Sequence, residues 1–188
     1  LMHRLNACRS LMNRMTVRHN AVQRVIQEAI VERYGVAVKN NSTVKLGNIS
    51  LPDRSSSLKP DLWFENNNKI ELVEFTVPYG DLTTDTQGNK ISSLTKKLNE
   101  KINKYSDLLL DVKSTYNKEA NLTVIVVSSL GVIPMKSIKA IQELLHISKK
   151  KVQKISRRIV FEAIRGSYLL FYEINQNTRE SIVTNAND

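Results

Sequence analysis

Cysteine is almost missing from this chain. Cys8 is the single one in 188 residues, so no intramolecular disulfide can form, and the composition suits a reducing compartment. No stretch approaches the roughly 18 consecutive apolar residues that a membrane span needs, and the N-terminal residues carry no secretory-signal pattern. Internal repeats and a domain-splitting linker are absent as well, which together with the length points to one domain. Acidic residues are in short supply: 18 Asp and Glu face 28 Lys and Arg, giving a net charge of +10. A surplus of that size selects polyanionic partners, and without a membrane span nucleic acid is the expected one. No base-reading motif such as a helix-turn-helix or a closed zinc finger is spelled out.

What is present is an ordinary globular balance, 41% apolar and 24% charged, which excludes wholesale disorder. Val22, Val25, Ile26, Ala29 and Ile30 recur at i, i+3, i+4, i+7 and i+8. That spacing predicts an amphipathic helix, capped by Thr16 and stopped by Gly35, and residues 1–15 also show roughly helical spacing. Residues 36–52 read as strands broken by a polar turn at Lys39–Ser42, and residues 53–57 as a loop. Two apolar runs around Asn66-Asn67-Asn68 predict a β-hairpin. A polar loop over 80–90 leads into a long helix with an apolar stripe of Leu94, Leu98, Ile102, Tyr105 and Leu109. Residues 121–131 read as a buried strand. Met135–His146 and Lys149–Leu170 read as helices, the second with Val152, Ile155, Ile159 and Ala163 inward, before a polar tail (175–188) that is expected to fray. The order predicts a layered α/β arrangement around a mixed sheet.

The stretch LKPDLWFENNNKIELVEFTVPYG (58–80) holds the chemistry. Strand alternation puts Ile70, Leu72, Glu74 and Thr76 on one face and Glu71, Val73, Phe75 and Val77 on the other. Glu74, between Val73 and Phe75, stays ionised only with a partner, a cation or a polar cleft. Glu71 lies nearer the start of the strand and reaches water more easily. Asp61 follows Pro60, a residue suited to a strand's first position, and in a hairpin it approaches Glu74 on one face. Such a pair is either a hard-cation site, whose oxygen ligands suit Mg²⁺, or a strand-start Asp beside an ion-paired Glu. The pattern leaves both open. Lys97, Lys101 and Lys104 form one row at i, i+4, i+7, which either reaches over the sheet or is a solvated basic face. Lys149, Lys150, Lys151, Lys154, Arg157 and Arg158 line the polar side of the last helix, as phosphate contacts or as solubilising charge. His19 and Asn20, taken alone, are the first turn of a helix. His146 reads as a dipole partner near a helix end, and Glu28 and Glu32 as a solvated pair with Arg24.

Six pieces occur in order: Arg18-His19-Asn20 opening a helix, Lys59-Pro60-Asp61, VEFTVPY (73–79), Lys97-x3-Lys101-x2-Lys104-Tyr105, SSLGVIP (128–134) and AIRGS (163–167). Together they resemble the restriction-like endonuclease domain of non-LTR retrotransposons (LINE elements), a branch of the PD-(D/E)XK nuclease superfamily, over roughly residues 1–170. The Asn-, Lys- and Ile-rich composition is similar to elements from AT-rich protozoa such as Entamoeba.

The resemblance implies a restriction-endonuclease-like α/β fold, an αβββαβ core with extra C-terminal helices, over residues 18–174. It implies a Mg²⁺-dependent DNA endonuclease, with Mn²⁺ as a substitute, acting on target DNA in the nucleus. The nick would leave a 3′-OH that primes reverse transcription by a fused or neighbouring reverse transcriptase domain. Metal binding falls to Asp61, Glu74 and the backbone carbonyl of Phe75. Thr76 stands where the superfamily has its lysine, so the resemblance moves that role to Lys101, with Lys104 second. The second acid of this branch is usually Asp, and Glu74 reaches one methylene further. His19, Asn20 and Lys97 become accessory candidates, and Lys150, Lys154, Arg157 and Arg158 candidates for DNA contact.

His3-x4-Cys8 resembles the second half of a CCHC zinc knuckle, making residues 1–17 its remnant with a lead-in helix. Two ligands do not close a tetrahedral site, so no complete zinc site is expected. The Leu1-Met2-His3 start fits a piece excised from a larger protein. Two other readings remain: a catalytically inactive nucleic-acid-binding module of the same fold, and a structure-selective nuclease of the Holliday-junction-resolving type. Cutting both strands would call for a dimer.

Overall fold

A computed structural model describes residues 12–80, 82–84 and 90–185. The expected zinc-knuckle remnant, with His3 and Cys8, lies outside the described residues. So do the middle of the 80–90 loop and the end of the tail. Helix α1 spans Met12–Tyr34 and buries Val22, Val25, Ile26 and Ile30, the stripe expected from the sequence. It ends where Gly35 takes φ 64° and returns its N–H to the Val31 carbonyl at 2.9 Å. Thr16 does not cap it. The residue lies inside the helix, and its hydroxyl donates to the Met12 carbonyl at 3.0 Å, a local bond that serves a mid-helix threonine.

Strand β1 (Lys39–Asn40) and a single-turn helix α2 (Asp53–Ser56) precede the hairpin of β2 (Leu62–Asn66) and β3 (Lys69–Thr76). Asn67 and Asn68 close that hairpin with φ of 50° and 61°, values that asparagine tolerates and a two-residue turn requires. A separate ribbon of β4 (Leu82–Thr84) and β5 (Lys90–Ser92) occupies part of the expected polar loop. Helix α3 (Ser93–Tyr116) crosses over to β6 (Glu119–Val126), and α4 (Met135–Leu145) and α5 (Lys149–Asn185) complete the chain.

The sheet order is β1-β2-β3-β6. The first three strands are antiparallel neighbours, and β6 runs parallel to β3 with Glu74 opposite Val124. The result is an α/β fold with a mixed four-stranded sheet flanked by helices, in the expected αβββαβ order. Parity holds across the sheet. Leu62, Phe64, Val73, Phe75, Ile125 and Val127 pack with α1, α4 and α5. On the other face Trp63, Ile70, Leu72 and Ala120 pack against Tyr105, Leu108 and Val112 of α3. Glu74 belongs by alternation to the α3 side.

Several sequence expectations require correction. Residues 36–52 form only the two-residue β1 and an isolated bridge between Leu46 and Ile49. Val44 and Leu51 are instead buried individually as anchors of an irregular segment. Residues 53–56 are helical rather than loop. The last strand stops at Val126, and α5 continues to Asn185, beyond the expected end at Leu170. The inward stripe of α3 is Leu94, Tyr105, Leu108 and Val112, while Ile102 is exposed. At 100° per residue, Lys101 falls on that stripe between Leu94 and Tyr105. Among the described residues no helix is long and apolar enough to cross a membrane.

A buried acid ties α2 to α3. The Asp111 carboxylate accepts from Arg54 Nε at 2.8 Å and from Ser55 Oγ at 2.6 Å, and the second Arg54 nitrogen bonds its other oxygen. These hydrogen bonds, Arg54 foremost, hold the Asp111 carboxyl at about 2, below its ordinary value. A carboxyl depressed in the folded state contributes stability above its unfolded pKa of roughly 3.9 and loses it as pH falls through the folded value. The Asp111→Asn protein is therefore expected to have a lower urea midpoint at neutral pH. The gap to the parent should close as pH falls from about 4 towards 2, and a gap independent of pH over that range would contradict the assignment.

Candidate active site

The site is built where the β2–β3 hairpin opens, beneath α1 on one side and α3 on the other. Asp61 stands one residue before β2, and Glu74 is near the end of β3. Antiparallel pairing sets Leu62 opposite Val73, so the next step back brings Asp61 to Glu74. The bond that joins them runs from backbone to side chain: the Asp61 N–H donates to Glu74 Oε1 at 3.0 Å. The Asp61 side chain crosses in the other direction, and its Oδ2 accepts the Phe75 N–H at 2.7 Å.

The Asp61 backbone is held further by its carbonyl, which accepts from Gln23 Nε2 at 2.9 Å and from the Asn41 N–H at 3.0 Å. His19, one helical turn before Gln23 on α1, places Nε2 3.2 Å from Asp61 Oδ2. Its other ring nitrogen lies 3.5 Å from Asn20 Oδ1, and the ring meets Phe75 edge to face. Asp61 Oδ1 accepts no hydrogen bond from the described residues. That oxygen remains available on a side chain that keeps 14% of its surface exposed.

Glu74 has no exposed side-chain surface, and its partner is Lys101: Nζ donates to Oε2 at 2.6 Å. Lys101 enters from α3 as the one cation on the inward stripe. Beside it the buried Tyr105 donates its hydroxyl to the Lys59 carbonyl at 3.0 Å, fastening the residues before Pro60.

The electrostatics are those of a crowded buried pair. Burial, then the charge of Asp61, push the Glu74 carboxyl above its ordinary pKa against the pull of Lys101. Burial acts the same way on Asp61, but the hydrogen bond and charge of His19, the Phe75 N–H and Lys101 bring it below its ordinary value. Burial opposes charge on His19 too, and its bond to Asp61 overrides that and raises the imidazole. Burial, followed by the nearby Glu74, raises the Tyr105 hydroxyl.

Among the described residues no three His, Cys, Asp or Glu side chains converge tightly enough to close a metal site by themselves. Two carboxylates supplemented by a backbone carbonyl fit Mg²⁺, which keeps several waters and uses one or two acids, better than they fit a fully ligated zinc. The spare Oδ1 of Asp61, and the burial and neighbouring Asp61 charge that together raise Glu74, are the features a divalent cation would relieve. Asp61, Glu74 and the Phe75 carbonyl are the groups that would hold it, with His19 adjoining.

Not every candidate reaches this cluster. Lys97 closes a surface ion pair with Glu100 at 2.6 Å and is directed away from the acids. Lys104 lies over the Tyr105 ring and donates to its hydroxyl at 3.1 Å, touching neither acid. Asn20 is exposed and reaches the site through His19 alone. Lys150, Lys154, Arg157 and Arg158 are exposed along α5, and Arg158 bonds Glu28 at 2.7 Å. Glu28 thus pairs across helices rather than with Arg24. Glu71 pairs with Lys69 at 3.4 Å. His146 is the C-cap of α4 with φ 48° and a backbone bond into the last turn.

Gln23 escaped the sequence reading, and Arg18 entered it only as part of the Arg18-His19-Asn20 piece, without a role. Gln23 was findable as the i+4 neighbour of His19. Arg18 is buried, donates to Ser167 Oγ at 3.0 Å and to the Val77 carbonyl at 3.3 Å, and has its pKa lowered by burial to about 10. Gly166 permits this crossing of α1 and α5, since a Cβ there would stand 2.5 Å from Arg18 Cγ and 3.2 Å from its Cα.

No protein-family model matches the chain, and no curated protein matches it. Among solved structures it is similar to a cap-snatching endonuclease of Toscana virus, at 25% identity over 74% of this chain, with TM-score 0.41. It is similar also to a cap-snatching endonuclease of the Phenuiviridae (22% identity, 82% of this chain, 68% of that one, TM-score 0.45). A third is the small subunit of the heterodimeric restriction endonuclease R.BspD6I (13% identity, 82% of this chain, 86% of that one, TM-score 0.32). The chain spans 56% of the length of the first of these.

The Glu74–Lys101 pair makes a stability prediction. Lys101→Met leaves a buried carboxylate without its partner, a change that typically costs about 3–5 kcal/mol. Urea unfolding should show that loss, and adding Glu74→Gln in the same protein should recover most of it. A double variant no more stable than Lys101→Met alone would show that the pair is not what the lysine serves.

Proposed function

We propose that the chain is a divalent-metal-dependent endonuclease that hydrolyses phosphodiester bonds in DNA. The observation that carries the reading is Glu74. A glutamate without exposed side-chain surface, in the middle of a sheet, is fastened to Asp61 on one oxygen and to Lys101 on the other. A fold is no more stable for such an arrangement than for an apolar one, whereas metal-dependent phosphodiester hydrolysis makes use of acids and a cation side by side. A bound divalent cation would polarise the scissile phosphate and lower the pKa of an attacking water.

The chain's own residues have the remaining tasks. Asp61 and Glu74 hold their carboxylates in fixed positions, because backbone N–H groups from the opposing strand bind one oxygen of each. Lys101 favours the charged form of Glu74 against its burial and brings a positive charge to where the phosphate acquires negative charge. His19 adjoins Asp61 and offers a further donor to a phosphate oxygen. The exposed Lys150, Lys154, Arg157 and Arg158 meet backbone phosphates away from the cut.

The choice of DNA, and of a nick that leaves a 3′-OH to prime a fused or neighbouring reverse transcriptase, draws support from the six ordered sequence pieces. Arg18–Asn20 and Lys59–Asp61 surround the site. VEFTVPY supplies Glu74 and Phe75, and the lysine row supplies Lys101. SSLGVIP and AIRGS brace the framework through Ser128 and through the Arg18–Ser167 bond.

Supercoiled plasmid is the direct test. With Mg²⁺ or Mn²⁺ the protein should convert it to open circle, and EDTA should stop the reaction. Asp61→Ala and Lys101→Met should each slow it by at least about 10²-fold, the usual scale for removing a preorganised electrostatic contributor. Nicking that is absent, or equal in the Asp61→Ala protein, ends the enzyme assignment, and retained DNA binding would then mark an inactive module. Preference for a four-way junction over plasmid would instead assign a structure-selective nuclease.

A further inference from the structure

The 37-residue α5 buries Val152, Ile159, Ala163 and Leu170 along one side. At 100° per residue the opposite side is a straight outward ridge of Lys154, Arg158, Phe161, Arg165, Tyr168 and Tyr172. All six are exposed, the three rings by 62%, 63% and 54%. The outward face of a packed helix is ordinarily polar, so three aromatic rings in line with cations call for an occupant.

The geometry of the rings and charges narrows the choice. Tyr168 and Tyr172 stack 27° from parallel with centroids 6.5 Å apart, and both residues keep more than half of their surface exposed. A surface pocket of about 440 Å³ is lined by Lys154, Arg157, Arg158, Phe161 and Glu162, which puts the third ring among cations. Arg158 pairs with Glu28 and Arg165 with Glu162, but Lys154 and Arg157 carry no ion pair among the described residues. Three further lysines, Lys149 to Lys151, open the helix. A second copy docking ridge to ridge would set cations against cations. A DNA duplex would satisfy the cations and leave the rings idle, since its bases are already stacked on one another. Unpaired nucleic acid satisfies both, because phosphates take the cations and every base has a face for stacking. From Lys154 to Tyr172 the ridge is about 27 Å long at 1.5 Å per residue, enough for several nucleotides.

We propose that the outward ridge of α5 binds a single-stranded nucleic-acid segment, with Phe161, Tyr168 and Tyr172 stacking on its bases and Lys154 and Arg157 meeting its phosphates. The choice of nucleic acid rests on the function proposed above. The ridge itself is independent of the acids.

Binding is measured on the Asp61→Ala protein, so that the probe stays intact and the result does not depend on cleavage. Fluorescence anisotropy compares a labelled oligo(dT) of about 20 nucleotides with a duplex of equal length. Replacing Phe161, Tyr168 and Tyr172 by Ala should weaken oligo(dT) binding by roughly tenfold or more per ring. Duplex binding and the salt dependence should stay unchanged. Lys154→Ala with Arg157→Ala should instead flatten the salt dependence for both probes. Tyr168→Phe with Tyr172→Phe, which keeps the ring faces, should bind as the parent does, and circular dichroism checks that every variant is folded. The proposal is overturned if the triple-alanine protein binds oligo(dT) like the parent. It is equally overturned if that protein loses only self-association in sedimentation or only binding to phosphatidylserine vesicles. Failure of plasmid nicking alone would leave this result standing.

Discussion

A carboxylate sealed between a sheet and a helix must be neutralised where it lies, and Glu74 sets that condition for this molecule. Its two oxygens are met by the Asp61 N–H and by Lys101. The first contact fixes how the β2–β3 hairpin opens, and the second fixes how α3 lies over the sheet. A lysine on the inward stripe of a long amphipathic helix would be a fault without that acid below it. The acid would be a fault without the lysine, at a cost of several kcal/mol for either alone.

Around this pair the remaining residues restrict Asp61. Its N–H, its carbonyl and one carboxylate oxygen are all engaged, by groups from β3, from α1 and from the segment at Asn41. The fixed backbone leaves a carboxylate whose position is set to within hydrogen-bond tolerances, the support that a reactive cluster requires. Support continues outward. Arg18 bridges the end of β3 to Ser167 on α5, and the small Gly166 lets the two helices approach. Ser128 folds the SSLGVIP loop on itself by accepting the Leu130 and Val132 N–H groups. Gly131, at φ 86°, leaves room for Ile164 of α5.

Much of this could be read from the chain before folding was considered. The Asn-rich hairpin, the parity that puts Glu74 on the face opposite Phe75, the α1 stripe and the order helix, strands, helix, strand, helices are local patterns, while the αβββαβ core came from the resemblance. Such patterns survive because the strand and helix repeats are rigid. The errors fall where packing overrides pattern. Residues 36–52 looked strand-like, yet form one short strand: Val44 and Leu51 are buried, and Val36, Val38 and Leu46 pack against the core only in part. Thr16 looked like a cap because the preceding residues were not recognised as the same helix. Ile102 was read as part of the apolar stripe, yet it is exposed, and Lys101 beside it turns inward to the buried charge of Glu74. Glu28 was matched to a neighbour on its own helix, whereas Arg158 comes from a helix 130 residues away.

The sequence by itself determined the alternation of the strands, the excess of positive charge, the two acids and the row of lysines available to them. All of these depend on residue type and on fixed helical and strand periods. Only the tertiary structure decided which lysine of the row meets Glu74, that Lys97 turns to Glu100 instead, and that His19 and Gln23 descend on Asp61 from a helix some forty residues earlier. Only the tertiary structure set three aromatic rings in line with cations on the outer side of α5. Those outcomes depend on how each helix is rotated against the sheet, and a helix settles its rotation by burying charge against countercharge as well as by hiding apolar surface.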